Sequence, residues 1–156
     1  MNTIVSLVDF SDITPRLIEQ SERFAKAFNS RVILVHVVPR QPVVMAIGGA
    51  MPNASERSSQ DSIQAYHKRL SALGDLLIAT GITVLIEQLT DPDIHNALNE
   101  FGKWNPDLVI VGSHHHSVLY NWLVGSFSSE VLKVARCPVL VVPAIPVQGA
   151  GEGNEW

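Results

Sequence analysis

Five short apolar runs, spaced by segments of helical period, constrain this chain more than any other feature. Thr3 to Val8 is rich in β-branched residues and apolar on both faces, as a central parallel strand requires. Val32 to Val38 has the same character, and Leu108 to Val111 and Val139 to Val142 are shorter versions of it. Ile82 to Leu89 alternates instead, with Ile82, Val84 and Ile86 set against Thr83, Leu85 and Glu87, which suits a strand nearer an edge.

Between these runs the period changes. Thr14-Pro15 reads as a helix start, with Thr14 as N-cap and Pro15 at the first helical position. Leu17, Ser21, Phe24 and Phe28 follow at helical spacing, flanked by Ile18 and Ala25, up to Asn29-Ser30. A long helix is expected from Ser55, with Ile63, Tyr66, Leu70, Leu73 and Leu77 as its stripe and Gly81 as its stop. Asp91-Pro92-Asp93 reads as the cap of a third helix, with Ile94, Ala97, Leu98 and Phe101 inward. A fourth runs from about Ser126 to Arg136, with Phe127, Val131 and Val134 on one face. The order β-α-β-α-β-α-β-α-β implies a single-domain α/β fold, a five-stranded parallel sheet with helices on both faces. Ligands of such sheets sit beyond the C-terminal strand ends, where the winding reverses. Asp9, Val37 and Gly112 all stand at such ends.

A chain of 156 residues suits one domain, and 46% hydrophobic with only 17% charged residues suits a well-buried core. No apolar run has the length of a membrane span, and the N-terminus lacks the basic region of a signal peptide. One cysteine, Cys137, excludes an internal disulfide and fits a reducing cytoplasm. A net charge of −4 without a Lys/Arg-rich run argues against nucleic acid as a partner. Pro39 to Ser55 has prolines, Gly48-Gly49 and scattered apolar residues but no period. It reads as a long loop that either covers a ligand at the end of strand two or is a packed or disordered insertion. From Ala144 the tail is Gly-rich and without period, so the domain is expected over residues 1–143, with a flexible tail over 144–156.

The stretch GSHHHSVLYNWLVGS, Gly112 to Ser126, joins strand four to the fourth helix. A Gly-Ser pair at a helix N-terminus offers free N–H groups and the positive end of the helix dipole to a phosphate. Gly112 would end its strand without a Cβ and admit a ligand close to the backbone. Gly112, two residues, position 115, nine residues and then Gly125-Ser126 resembles the G-x-x-G-x9-G-[ST] motif of the universal stress protein (UspA-like) family, with His115 in place of the second glycine. VDFSD, LVHVV, DPDIHNAL, PDLVIVGSH and GSFSSEVLKVARCPVLVVP resemble other pieces of that family, in order, from residue 3 to 143. The resemblance implies a doubly wound, adenine-nucleotide-hydrolase-like fold that binds ATP or a related adenine nucleotide, with or without Mg2+. It implies Asp9 on the adenine and ribose side, the Val37 backbone on the adenine, and Gly112, Gly125 and Ser126 around the phosphates, with Ser113, His115 and Phe127 beside them.

Each residue also has a plainer reading. Asp at a strand end often caps the following turn, although the rest of the site favours ligand contact for Asp9; Val37 is core by composition, and Ser126 suits an N-cap. His115 adds a ring where the family keeps bare backbone; it either blocks phosphates or donates to them, most strongly when charged below pH ~6.5. Three adjacent histidines, His114 to His116, do not share a face, and no metal site is expected from them. No Walker loop, G-x-G-x-x-G or G-x-S-x-G elbow occurs, and no residue set for efficient hydrolysis is evident. The expected protein is a cytoplasmic stress-response regulator, a homodimer joined through strand five (Val139, Leu140, Val141, Val142). The alternatives are an interaction module without nucleotide and a slow nucleotide hydrolase.

Overall fold

A computed structural model describes residues 1–38, 52–90, 94–114, 123–124 and 131–143. Its elements are β1 (Thr3–Leu7), α1 (Thr14–Phe28), β2 (Arg31–Val38), α2 (Pro52–Ile78), β3 (Val84–Thr90), α3 (Ile94–Lys103), β4 (Leu108–His114), β5 (Leu123–Val124) and β6 (Val139–Pro143), with residues 131–134 helical before β6. Five strands are parallel, in the order β3-β2-β1-β4-β6, as the alternation predicts. The sixth, β5, is two residues long and antiparallel to the end of β4. Its residues lie inside the stretch expected to run from loop to helix, where two apolar residues give no readable period.

Alternation along the strands sends side chains to two cores. Ile4, Val8, Val32, Leu34, Leu108, Ile110 and Val142 pack with Leu17, Ile18 and Ala25 of α1 and Leu70 and Leu77 of α2. Val5, Leu7, Ile33, Val35, Val109 and Val111 pack with Phe101 of α3 and Val131 on the other face. Two-sided burial is why these strands read as continuous apolar runs. Ser21, polar in the α1 stripe, is fully buried because its hydroxyl donates to the Leu17 carbonyl at 2.7 Å. Its one proton being used there, Ser21 Oγ accepts from Ser6 Oγ, also 2.7 Å away.

Several local expectations change. Ile13, not Thr14, is the N-cap of α1, and it makes no side-chain cap bond. Ser11 does that work: its carbonyl accepts from the Thr14 N–H at 3.1 Å and its hydroxyl accepts from the Ile13 N–H at 3.4 Å. Phe28 is 49% exposed and stacks on Phe24 rather than entering the core. Val134, expected inward with Val131, is half exposed. Helix α2 starts at Pro52, within the segment expected as loop. Gly81 has the left-handed φ of 87° expected of a helix stop. The Asp91-Pro92-Asp93 cap and the rest of the Pro39 loop lie outside the described residues, as does the 144–156 tail.

Candidate nucleotide crevice at the strand ends

The chain winds from β1 through β2 to β3, then crosses back to β4 and β6, so the winding reverses between β1 and β4. The pairing of β1 with β4 stops at Ser6 opposite Ile110. Ser113 pairs with Pro143 of β6 on one edge and with Val124 of β5 on the other. A strand has two edges, so β5 takes up the β1-facing edge of β4 just past the end of β1. Val111 and Gly112 lie between the two pairings. The antiparallel return joins the described ends of the glycine-bearing stretch: His114 pairs with Leu123, and Ser113 with Val124, which precedes Gly125.

Gly112 does not end its strand; β4 continues to His114. Its missing Cβ is filled from within. A Cβ there would meet Ile13 Cγ2 at 3.2 Å, and Ile13 is 2% exposed. Ser113 points to the opposite face, is fully buried, and its hydroxyl has no hydrogen-bond partner among the described residues. Val37 is half-buried, opposite Leu89 of β3, and its side chain lies on the sheet face away from His36. His115, Gly125, Ser126 and Phe127 lie outside the described residues, so their placement relative to Asp9, Val37, Gly112 and Ser113 is not drawn.

Asp9 is exposed at the exit of β1. Its Oδ1 accepts from the Ser11 N–H at 3.0 Å and the Ser11 hydroxyl at 2.6 Å, the turn-capping arrangement that Asp favours. The next residue, Phe10, has φ 59°, a strained value for a bulky side chain. Its ring lies 4.5 Å from the His36 ring and 5.7 Å from Tyr66, stacked on the latter at 10°. The Arg69 guanidinium sits over the same ring, 4.3 Å from its centroid.

His36 and this aromatic cluster were not legible as site residues. The available signal is one histidine inside the otherwise aliphatic run VILVHVV, since a polar side chain in a two-sided buried strand needs a partner. Its Nδ1 is 2.7 Å from the Val8 carbonyl, which can only accept, so Nδ1 carries the proton. Nε2 is then a bare acceptor, buried and unpartnered among the described residues. Burial pushes the imidazole below its ordinary value of 6.5, against the Val8 bond and the Asp9 charge, which both favour the charged ring; Arg69 adds to the lowering.

Two cavities lined by described residues lie elsewhere. One of about 590 Å3 lies among Phe101, Asn105, Val131 and Cys137, at the N-terminal strand ends; another, of about 720 Å3, runs along α2 beside Gln88. Neither is where a sheet of this winding takes its ligands, so topology and not concavity selects the crevice. The thiol of Cys137 is pushed up by burial, which suits packing rather than reactivity. No described helix is long and apolar enough to cross a membrane.

The profile of the universal stress protein family matches residues 1–143. A universal stress protein of Methanocaldococcus jannaschii is 27% identical over 140 residues, covering 89% of this chain and 80% of the relative. Universal stress protein A homolog 1 of Coxiella burnetii is also 27% identical over 140 residues, covering 89% and 94%. Among solved structures, a universal stress protein family member from Burkholderia pseudomallei superposes with a TM-score of 0.68 at 18% identity, covering 92% of this chain and 96% of the other. A universal stress protein solved in complex with cAMP gives 0.58 at 20% identity, covering 91% and 96%. The Archaeoglobus fulgidus protein solved in complex with dAMP gives 0.57 at 17%, covering 90% and 97%. These likenesses share the fold described above.

Proposed function

Since the chain belongs to the universal stress protein family, we propose that it binds an adenine nucleotide in the crevice between β1 and β4 and works as a dimeric stress-response regulator in the cytoplasm. The pairing of Ser113 with Val124 carries this reading, because it brings both described ends of the glycine-bearing stretch to the reversal point. The cAMP and dAMP complexes of similarly folded proteins support adenine as the base. Asp9 faces the adenine and ribose side, the Val37 backbone holds the adenine, and Gly112, Ser113, His115, Gly125, Ser126 and Phe127 surround the phosphates. Mg2+, where it takes part, is carried on the phosphates. The domain spans residues 1–143 and the tail 144–156. Its role is binding, with any hydrolysis slow.

Native mass spectrometry of freshly purified protein tests this directly. The expected result is a dimer carrying an adenine nucleotide, or one that takes up AMP and ATP in calorimetry and not GTP to the same degree. No uptake of any adenine nucleotide at millimolar concentration would sink it.

One observation favours a second reading, an interaction module without nucleotide: Gly112 is used for packing against Ile13, which a phosphate loop does not require. His115→Gly separates the two. If the crevice is functional but crowded, the variant gains ATP affinity, and AMP affinity rises less because fewer phosphates reach the loop.

A further inference from the structure

One side chain touches both neighbours of Asp9. The His36 Nδ1–H donates to the carbonyl of Val8 at 2.7 Å, and the His36 ring packs on Phe10 at 4.5 Å. Val8 is also held through its N–H, which donates to the Val35 carbonyl at 2.8 Å. Both backbone polar groups of Val8 are therefore tied to β2, one residue past the end of β1. Phe10, on the other side, is kept at φ 59° with its ring between His36, Tyr66 and the Arg69 guanidinium. Strain of this kind persists only where the surroundings over-determine it.

We propose that His36 is the positioning residue of the nucleotide crevice: as a neutral ring it clamps Val8 and Phe10, and so sets where Asp9 stands. The ligand in this statement rests on the nucleotide reading; the clamp does not. Neutrality follows from geometry. A second proton would go on Nε2, which is buried with no acceptor among the described residues, in a side chain 5% exposed. Among the described residues, the charged and titratable groups facing the ring are Asp9 from the β1 exit and Tyr66 and Arg69 from α2; its neighbour on β3, Gln88, is neutral. Burial disfavours the imidazolium and Arg69 adds to that, and together they outweigh the Val8 bond and the Asp9 charge, which favour it. Acid therefore drives the ring out of its place, and Asp9 loses its support.

Two substitutions separate the clamp from mere filling of space. His36→Asn keeps an N–H donor at the position of Nδ1 and does not titrate. His36→Gln moves its amide one bond further and cannot reach the same carbonyl in the same way. AMP binding by calorimetry is the readout. At about pH 7.5, His36→Gln is expected to bind about ten-fold more weakly than wild type, and His36→Asn, which keeps the Val8 bond but loses the ring contact with Phe10, between the two. As the pH is lowered stepwise from about 7.5 to about 4.5, wild type is expected to lose more affinity than His36→Asn, and to do so only below the ordinary imidazole value, because burial disfavours the charged ring; the phosphate of AMP titrates equally for both and cancels. Equal affinity of His36→Gln and wild type would overturn the proposal, as would identical pH slopes for wild type and His36→Asn. Should His36→Gln not fold, the comparison of those two slopes decides. If none of the proteins binds AMP, the nucleotide reading fails and hydrogen exchange tests the clamp alone. The Ser11 amide, held by Asp9 Oδ1, exchanges faster in His36→Gln than in His36→Asn if the clamp is real, and at equal rates if it is not.

Discussion

A Cβ placed on Gly112 would stand 3.2 Å from Cγ2 of Ile13, closer than ordinary van der Waals contact. Ile13 is the N-cap of α1 and nearly fully buried, so it has little room to withdraw. Gly112→Ala is therefore expected to destabilise the protein without nucleotide by about 1–3 kcal/mol, the usual range for overpacking. Chemical denaturation of the nucleotide-free protein measures it. An unchanged midpoint, with only nucleotide affinity reduced, would assign the glycine to the ligand instead.

Asp9 also caps the turn at Ser11, but at an exposed position, so losing that cap costs the fold little. Asp9→Asn keeps an acceptor oxygen for the Ser11 N–H and hydroxyl but removes the charge. Asp9→Ala removes both. If Asp9 contacts the nucleotide, Asp9→Ala weakens adenine-nucleotide binding by about 1.5–3 kcal/mol, roughly ten-fold or more, with little loss of fold. Asp9→Asn falls between it and wild type. Equal affinities for all three proteins in calorimetry would leave Asp9 as a turn cap alone.

At the opposite end of the sheet, Asp107 joins the starts of β1 and β4. Its Oδ2 accepts from the N–H groups of Asn2 and Thr3 at 2.7 and 3.0 Å, and these bonds hold its carboxyl below the ordinary 3.8. A depressed carboxylate contributes stability that is present above the unfolded value and lost as pH falls through the lower folded value. Wild type should therefore exceed Asp107→Ala in urea midpoint at neutral pH, and the gap should close below about pH 3.8. A gap independent of pH would mean that the ion plays no part.

The sheet was readable because its strands are buried on both faces. VILVHVV and LVIV leave few alternatives once helical segments alternate with them, and the reversal point follows from strand order. What was not readable has local causes. The α1 cap went to Ile13 because Ser11, fixed by Asp9, closes the preceding turn with both its carbonyl and its hydroxyl. Two-residue β5 is too short to show a period. His36 was hidden because its partner is a backbone carbonyl, Val8, and backbone groups leave no mark in a sequence. Gly112 was recognised as special, yet the contact that requires it comes from Ile13, almost a hundred positions earlier, and no spacing rule links the two.

The other edge of the sheet is the one on which a dimer is expected to form. Among the described strands, β6 pairs only with β4, in register from Val109 opposite Val139 to Ser113 opposite Pro143. Its outer edge thus offers backbone donors and acceptors beside apolar side chains, and Val141 is 36% exposed. An apolar edge of this kind invites pairing unless something covers it, and a second copy related by a two-fold axis presents the same strand. Wild type is expected to sediment as a dimer at micromolar concentration. Val141→Lys places a charge on that edge, which a second β6 would have to desolvate. Because Val141 is already exposed within one chain, the substitution should change the stability of the single chain by only about 0.5 kcal/mol, so a variant that sediments as a folded monomer is the expected outcome. A wild-type monomer would remove the basis for the interface, and a variant dimer as tight as wild type would move it to another surface.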